Sequence, residues 1–325
     1  MEVTIKTPSR IHLGIMDLNG NLGRIYGSIG LALEEPSTVI TAKHSDELEI
    51  LGNEKERVSR IVEKFSDHFG IKPRVIINVS ESIPDHVGLG SGTQLSLAVS
   101  YALAELHSIN ISVRELATTM GRGILSGIGA EAFRKGGFII DGGHETDRIE
   151  GLPPIIFRYH FPRNWSILIV SSGAGRGLSG GEELRAIEGI IPSSPEIAAN
   201  ICRIVQMKLL PSLILKDIDK FGQSLKEIDE NVGICFSKIQ GGLYREEFSQ
   251  KLVDFLTEEG ASGAGQSSWG PSVYALIEDK LAKRLEEETR KFLIENDKTG
   301  TVLRTHANNE GAKITTIDTH ELVSL

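Results

Sequence analysis

Residues 84–93 form a glycine-rich segment, P-D-H-V-G-L-G-S-G-T, whose residue types suit phosphate binding. A β-branched run at residues 75–79 precedes it, and apolar residues recur at three- and four-residue spacing after it. The pattern predicts a loop that leads into a helix N-terminus, where unpaired N–H groups and the helix dipole favour anions. Its three glycines let the backbone approach an oxyanion closely. The alternative is an ordinary tight turn capped by Ser91, so other motifs must decide.

The N-terminal segment T-P-S-R-I-H-L-G-I-M-D carries residues suited to binding and proton transfer, and we predict that they directly follow the first strand. Arg10 has the planar fork that pairs with phosphate or carboxylate. His12 and Asp17 are able to exchange protons near neutral pH. Taken singly, Arg10 also fits a surface ion pair and His12 a packed strand position.

A second glycine-rich segment spans residues 260–273, G-A-S-G-A-G-Q-S-S-W-G-P-S-V, and is predicted to be a loop between a helix and a strand. Two such loops, one in each half of the chain, would be able to close on a single ligand. A flexible connection is the alternative for this segment alone.

Length, charge and cysteine content limit the classes of protein. A chain of 325 residues predicts two domains, which we place at 1–162 and 163–325. A net charge of -9 argues against a nucleic-acid-binding surface. Two cysteines are too few for a disulfide scaffold or a metal cluster. No signal peptide and no run of about 20 apolar residues is evident, which predicts a soluble, cytoplasmic protein without a membrane partner.

Hydrophobic periodicity predicts a mixture of strands and helices. The predicted strands are Val3–Lys6, Thr38–Ala42, Leu48–Leu51, Val75–Val79, Phe138–Asp141, Ile155–Tyr159, Trp165–Ser171 and Ser272–Glu278, with two more near Val302 and Ile314. The predicted helices are Glu56–Phe69, Leu95–His107, Val113–Ile124, Gly180–Glu188, Glu196–Leu209, Leu213–Ile228, Glu246–Glu258 and Lys280–Phe292. This order indicates two α+β domains with a cleft between them.

Three motifs in order resemble the GHMP kinase superfamily. Pro84-x-x-x-Gly88-Leu89-Gly90-Ser91 is similar to its phosphate loop, Pro8-Ser9-Arg10-Ile11-His12-Leu13-Gly14 to its N-terminal motif, and Gly263-Ala264-Gly265 to its C-terminal glycine motif. The resemblance implies an N-terminal domain like domain 2 of ribosomal protein S5 and a ferredoxin-like C-terminal domain. It also implies a ligand in the groove between them.

The sequence departs from the kinases of this superfamily where their acidic residues stand. Kinases like mevalonate kinase carry a Ser-Gly-x-Asp stretch, whereas here Ser126-Gly127-Ile128 is followed by Gly129. Their metal-binding glutamate has no counterpart at residues 117–120, and Gly92 replaces a second loop serine. Phosphoryl transfer depends on metal and cationic stabilisation, so these losses weaken the kinase interpretation. A small-molecule kinase for a mevalonate- or homoserine-like alcohol remains the alternative, followed by a noncatalytic ATP-binding protein.

One branch of the superfamily has these departures, the β-ribofuranosylaminobenzene 5′-phosphate synthases of methanopterin biosynthesis. The similarity is carried by G-R-I-Y-G-S-I-G-L-A-L, H-V-G-L-G-S-G-T-Q-L, S-G-I-G-A-E-A-F-R-K-G-G-F-I-I-D-G-G and G-Q-S-S-W-G-P-S-V-Y. It implies a glycosyltransferase that condenses phosphoribosyl pyrophosphate with 4-hydroxybenzoate or 4-aminobenzoate and releases carbon dioxide and pyrophosphate. Mg²⁺ is the implied cofactor, and a homodimer is the implied assembly.

The resemblance assigns hypothetical roles to individual residues. The pyrophosphate would bind to Gly88, Leu89, Gly90, Ser91, Gly92 and Thr93, with Ser91 also as a metal ligand. Arg10, His12 and Asp17 are the catalytic candidates, and His12 or Asp17 would accept the phenol or amine proton. The candidates for substrate binding are Arg24, Arg134, Lys135, Gly263, Gly265 and Ser267. The alternative for Arg134 and Lys135 is a cation pair at a helix C-terminus. Arg176 would contact phosphate, or would belong to a connection without a binding role. Trp269 would stack on the aryl acid, or would be a packed side chain.

Overall fold

Two long strands dominate the first half of the chain. The computed structural model describes residues 1–173, 177, 181–190 and 192–318. In it, β1 (Glu2–Asp17) pairs antiparallel with β2 (Arg24–His44) over nearly its whole length. Sequence patterns predicted only short parts of these strands, because glycines and serines interrupt the apolar alternation. Arg10, His12 and Asp17 therefore lie within β1, and the prediction that they follow the first strand is wrong.

The remaining elements agree closely with the predicted order. The other strands are β3 (Glu49–Gly52), β4 (Val75–Glu81), β5 (Phe138–Asp141), β6 (His144–Glu145), β7 (Ile155–Tyr159), β8 (Trp165–Ser171), β9 (Gly263–Gln266), β10 (Ser272–Glu278), β11 (Thr301–Thr305) and β12 (Lys313–Ile317). The helices are α1 (Lys55–Phe69), α2 (Ser91–Leu106), α3 (Val113–Thr119), α4 (Ile128–Lys135), α5 (Gly181–Glu188), α6 (Pro195–Ile204), α7 (Leu210–Leu215), α8 (Ile218–Gln240), α9 (Glu247–Glu258) and α10 (Asp279–Glu295).

The first sheet has the order β12-β1-β2-β4-β3, with β5 and β6 also paired to β2 and β7 paired to β5. Helices α1 to α4 bury apolar residues against one part of it. A representative set is Ile5, Ile40, Val62, Ile77, Leu103 and Leu116. Because β4 leads to α2 through the glycine-rich loop, this packing fixes the loop at the edge of the core.

The second sheet is antiparallel, with the order β11-β8-β10-β9. Helices α9 and α10 bury apolar residues against it. A further core joins the two sheets, and it includes Ile11 of β1, Ile167 of β8 and Phe221 of α8. The α+β arrangement positions β1, the glycine-rich loop and β9 around this junction. The proposed domain boundary at 162/163 falls between β7 and β8, whereas β12 returns to pair with β1.

Three local predictions are wrong. The predicted helix Leu213–Ile228 is two helices, because Lys216 adopts a left-handed conformation with φ 56° and Asp217 caps α8 by accepting a hydrogen bond from Lys220 N–H. The predicted helix Val113–Ile124 ends at Thr119. The predicted loop 260–273 contains the buried strand β9, in which glycines pack against α8. Arg176 lies outside the described residues.

Residues 195–215 form one continuous helical stretch, made of α6, a π-helical turn at Val205–Leu209 and α7. By length and composition alone it would be able to cross a membrane, with a mean hydropathy of 1.3. The expectation that no segment has this character is therefore wrong here. Ile201, Leu209 and Leu213 are buried in the core between the sheets, whereas Met207 and Leu215 of the same stretch are exposed.

Candidate functional site

The glycine-rich loop ends at the N-terminus of α2, as the sequence predicts. Gly90 is the N-cap residue, in a left-handed conformation with φ 82°. Its carbonyl accepts hydrogen bonds from the N–H groups of Thr93 at 3.1 Å and Gln94 at 3.2 Å. Within the described part of the chain, the N–H groups of Ser91 and Gly92 have no such partner. These two donors and the helix dipole give the loop the chemistry of an anion site.

The segment after β9 lies directly on this loop, and glycines make the close approach possible. A Cβ atom on Gly88 would lie 2.4 Å from the Ser267 carbonyl oxygen. A Cβ atom on Gly270 would lie 2.4 Å from the Val87 carbonyl oxygen. Both distances are far below van der Waals contact, so a side chain at either position would separate the two segments. The structure therefore brings the two glycine-rich motifs together.

The Gly88 carbonyl is where the three motifs meet. Arg10 Nη1 donates to it at 2.6 Å, and Ser267 Oγ donates to it at 2.8 Å. Ser267 Oγ in turn accepts from the His12 N–H at 3.1 Å, and the Arg10 N–H donates to the Leu89 carbonyl at 3.0 Å. Arg10 and the fully buried Ser267 thus hold the loop in place. Their predicted contacts with substrate stay predictions.

Ser91 belongs to a polar network at the start of α2. Its Oγ donates to Asp85 Oδ1 at 2.7 Å. Asp85 also pairs with Arg57 Nη1 at 2.9 Å and with His86 Nε2 at 3.1 Å. No group of three or more His, Cys, Asp or Glu side chains in the described ranges is placed to hold a metal ion. Ser91 and Asp85 nevertheless each present a side-chain oxygen beside the loop.

His12 faces a cavity of about 50 Å³ between β1, α8 and the segment after β9. Three aromatic side chains line it, from Phe236, Tyr244 and Trp269. Burial, and then the positive charge of Arg10, lowers the pKa of His12 to about 3. Its imidazole is therefore neutral near pH 7 and a weak base.

Asp229 lines the same cavity and was not singled out from the sequence. Burial raises the pKa of its carboxyl to about 7, although hydrogen bonds from Tyr244 and from the Gln266 backbone oppose the shift. The Tyr244 hydroxyl donates to Asp229 Oδ2 at 2.6 Å. The fully buried Tyr274 hydroxyl lies nearby and has no hydrogen-bond partner among the described residues. A carboxyl with a pKa near neutrality beside aromatic rings suits proton transfer. No local motif marks Asp229, because it lies within a long helix.

Asp17 and Arg24 flank the turn that joins β1 to β2, Asp17 at the end of β1 and Arg24 at the start of β2. Asp17 Oδ1 accepts hydrogen bonds from the N–H groups of Asn19 at 2.7 Å and Gly20 at 2.9 Å. Arg24 donates to the carbonyls of Gly142 at 2.8 Å and Gly143 at 2.6 Å. Both side chains therefore shape local turns, and their roles toward substrate stay predictions.

The other predicted substrate ligands lie elsewhere. Arg134 makes a two-point contact at 2.8 Å with Glu131 at the C-terminal end of α4, and the neighbouring Lys135 side chain is exposed. The opposite end of this helix lies against Thr93 of the loop, so the structure does not bring this cation pair to the loop. Gly263 and Gly265 are buried in β9, where a Cβ on Gly265 would meet Asp229 and Tyr274 at 2.9 Å.

Gly129, which the motif resemblance matches to the kinase aspartate, contacts the loop. A Cβ atom there would lie 3.0 Å from Thr93 Cγ2. Gln94 Nε2 also donates to the Gly129 carbonyl at 2.8 Å. The start of α4 therefore packs tightly on the first turn of α2. An acidic side chain at 129 would require Thr93 to move.

Comparison with known proteins bears on the family and the fold. Residues 56–132 match the GHMP kinases N terminal domain, and residues 209–295 match the GHMP kinases C terminal family. A protein of Archaeoglobus fulgidus named beta-ribofuranosylphenol 5′-phosphate synthase is 37% identical over 324 residues, which cover 95% of this chain and 98% of the relative. One of the same name from Methanothermobacter thermautotrophicus is 35% identical over 300 residues, covering 86% and 90%.

This chain belongs to the beta-ribofuranosylphenol 5′-phosphate synthase family. It is an enzyme of the transferase class, and the family resemblance stated from its motifs is confirmed. The mevalonate kinase structure of Methanococcus jannaschii superposes with a TM-score of 0.68 at 17% identity, covering 94% of this chain and 98% of the other. The synthase therefore has the two-domain α+β fold of the GHMP kinases, as predicted.

Proposed function

We propose that this synthase condenses phosphoribosyl pyrophosphate with 4-hydroxybenzoate, a decarboxylating step of methanopterin biosynthesis. The identity of 34–37% to synthases over most of the chain carries the proposal. Their name specifies a phenol product, which favours 4-hydroxybenzoate over the alternative substrate 4-aminobenzoate. The kinase alternative loses support because Gly129 packs against Thr93 where the kinases carry an aspartate.

The proposed reaction exchanges a C–O bond for a C–C bond. The bond between ribose C1 and pyrophosphate breaks, and the aryl carbon that carries the carboxylate attacks C1. The carbon–carboxylate bond then breaks, and its electron pair restores the aromatic ring as carbon dioxide leaves. The proton that the phenol gives up during attack is returned at this point, so the products are the C-riboside 5′-phosphate, carbon dioxide and pyrophosphate.

The loop would stabilise the departing pyrophosphate. Negative charge grows on the leaving group as its bond to C1 lengthens, and fixed N–H donors bind that charge more strongly than the ground state. The N–H groups of Ser91 and Gly92 are fixed donors of this kind, because they lie in the first turn of α2. Arg10 and Ser267 hold the loop through the Gly88 carbonyl.

The aryl acid would place its hydroxyl end in the cavity lined by His12 and Asp229. The aromatic side chains of Phe236 and Trp269 line this cavity, and no lysine or arginine among the described residues does. The carboxylate end would therefore lie toward Arg10 and the loop, which is where C1 must be. Asp229 joins His12 and Asp17 as a candidate proton acceptor, because a pKa of about 7 matches the task better than a pKa of about 3.

Mg²⁺ is part of the proposal, as the expected partner of the substrate's phosphates. Mg²⁺ commonly takes one or two protein oxygens, with substrate phosphates and water as the other ligands. Ser91 Oγ and the Asp85 carboxylate supply such oxygens beside the loop. The bound ion would neutralise charge on the pyrophosphate oxygens. We also propose, from the family resemblance, a cytoplasmic homodimer, which sedimentation and cell fractionation would test.

Product release tests the proposal directly. Purified protein is incubated with Mg²⁺, phosphoribosyl pyrophosphate and carboxyl-labelled 4-hydroxybenzoate, and labelled carbon dioxide and pyrophosphate are measured. We expect equal amounts of both products, and slower release with 4-aminobenzoate. Formation of ADP from ATP with mevalonate or homoserine, without either product, would contradict the proposal and support a kinase. Tight ATP binding without turnover of any substrate would support a noncatalytic ATP-binding protein.

A further inference from the structure

A second pocket lies beside the first turns of α2 and is lined by positive charge. Arg57, Arg60 and Lys64 project into it from α1, and Arg122 from the segment after α3. It has a volume of about 390 Å³, and no carboxylate of the described residues lines it. We call these four side chains the basic cluster. Four cations around one pocket are the electrostatic pattern of a site for a multiply charged anion.

Most of the charge in the basic cluster is uncompensated. Arg57 pairs with Glu54 and Asp85, each at 2.9 Å. Arg60, Lys64 and Arg122 form no ion pair within the described residues. Arg122 Nε is buried without a hydrogen-bond partner in that same part of the chain. Burial and the nearby Arg57 lower the pKa of Arg122. Leaving a buried donor unpaired costs free energy, which an anionic ligand would recover.

A hydroxyl in the pocket has the same unmet bonding capacity. Ser96 lines the pocket and is 1% exposed, and its Oγ has no partner among the described residues. Ser96 lies one turn after Gly92 on the same face of α2. A Cβ atom on Gly92 would lie 3.4 Å from Arg122 Nη1 and 3.6 Å from Arg57 Nη2. The pocket is therefore continuous with the N–H donors at the start of α2.

We infer that the basic cluster binds the terminal phosphate of the departing pyrophosphate. The inference rests on the proposed function and adds a site that the loop motif does not contain. Gly88 and Gly90 face Arg10 and Ser267. This is the side of the cavity that His12 and the three aromatic side chains line, which we call the aromatic cavity. Gly92 instead faces Arg57 and Arg122 of the basic cluster. A ribose with its reacting carbon on the cavity side therefore extends its leaving group across the helix end into the basic cluster, whereas the 5′-phosphate stays outside it.

Direct binding of two phosphates tests the inference without catalysis. Isothermal titration with inorganic pyrophosphate and with ribose 5-phosphate is compared for the wild type, Arg122→Gln and Arg122→Lys. Arg74→Gln is the matched control, because this exposed arginine lies in the same domain outside the pocket. We expect Arg122→Gln to weaken pyrophosphate binding at least tenfold and ribose 5-phosphate binding less than twofold. Arg122→Lys should recover part of the loss, and Arg74→Gln should change neither.

Several outcomes would overturn the inference. Equal losses in Arg122→Gln and Arg74→Gln would indicate a general charge effect. Loss of ribose 5-phosphate binding alone would assign the pocket to the other phosphate, and unchanged binding would leave it without a phosphate role. If Arg122→Gln fails to fold, Lys64→Gln replaces it. The synthase assay is run in parallel. Turnover by the wild type, together with unaffected pyrophosphate binding by Arg122→Gln, would overturn the inference about the basic cluster. Selective loss of pyrophosphate binding by Arg122→Gln, with no turnover by the wild type, would overturn the proposed function.

Discussion

The two pockets beside the glycine-rich loop treat charge in opposite ways. In the aromatic cavity, burial keeps His12 and Asp229 close to their neutral forms, with pKa values of about 3 and about 7. In the basic cluster, three basic side chains have no ion pair within the described residues, and Arg122 Nε is buried without a hydrogen-bond partner in that same part of the chain. Burial thus disfavours the charged forms of side chains in the aromatic cavity, whereas the basic cluster brings several basic side chains together.

This difference matches the two ends of the proposed reaction. An aromatic ring and a transferable proton require an apolar surrounding with groups that titrate near neutrality. A departing pyrophosphate requires fixed positive charge and oriented N–H donors. The loop lies between the two regions, so the proposed function would separate proton transfer from leaving-group stabilisation within one fold. A substitution in one region should therefore leave the KM for the other region's substrate largely unchanged.

Asp229→Asn should produce the largest effect and should be confined to the aromatic side. We expect kcat to fall by about 10²–10³-fold, because the proton acceptor is lost. The rise of kcat with pH through about 7 should also disappear, while the KM for phosphoribosyl pyrophosphate stays within twofold. Glu230→Gln is the matched control, since it removes the neighbouring carboxylate. An unchanged pH profile in Asp229→Asn would show that another group moves the proton.

Gly92→Val should affect the basic side alone. The branched side chain would displace Arg122 and Arg57 from the first turn of α2, because a Cβ there already lies 3.4 Å and 3.6 Å from them. We expect the KM for phosphoribosyl pyrophosphate to rise about tenfold, equivalent to about 1.4 kcal/mol, with the KM for the aryl acid unchanged. Gly92→Ala adds only an ordinary contact and should remain within twofold of the wild type. Equal effects of the two variants would argue against a role for these arginines.

Ser267→Ala should weaken the connection between the two regions. It removes the hydroxyl that joins the His12 N–H to the Gly88 carbonyl. The cost of a lost buried hydrogen bond is about 1–3 kcal/mol, so we expect a lower midpoint of thermal unfolding and higher KM values for both substrates. Ser272→Ala is the control, because its buried Oγ has no partner in the described residues. A change in only one KM would indicate that Ser267 serves one substrate.

The pH dependence of stability should separate His12 from Asp229. Asp229 has a raised pKa, so the native state holds its proton more firmly, and the free energy of unfolding falls as pH rises from about 4 to about 7. His12 has a lowered pKa, so its contribution rises with pH from about 3 to 6.5. The two slopes oppose each other. Urea unfolding at pH 4.5 and 7.5 should show a gain of roughly 2 kcal/mol at the higher pH for Asp229→Asn relative to the wild type. Equal pH dependence in both proteins would place the Asp229 pKa near its ordinary value.

The sequence predicted the elements whose signals are local. The strands Phe138–Asp141, Ile155–Tyr159, Trp165–Ser171 and Ser272–Glu278 have the predicted bounds, because each is a short apolar run. The loop at 84–93 has its predicted place at a helix start. The full length of β1 and β2 was missed, since their middle parts form strands by pairing with each other and, in β2, also with β5, which no local pattern shows.

The candidate site was less predictable, because its side chains come from separated helices. Arg57 and Arg122 are 65 positions apart in the sequence, and only the packing of α1 beside the start of α2 brings them to Gly92. In the sequence, Asp229 is one of several acidic residues of the amphipathic helix α8. Its raised pKa depends on burial against β9, which no local pattern reports.

The pairing of β12 with β1 has a consequence for biosynthesis. Residues 2–6 of the first strand find their partners at residues 313–317. A ribosome delivers the chain from the N-terminus, so the outer edge of the first sheet stays uncovered until nearly all of this sequence has been translated. An uncovered strand edge is a template for aberrant pairing. Completion of the first sheet thus waits until residues 313–317 have been made, and a nascent-chain arrest at residue 312 would trap an aggregation-prone intermediate.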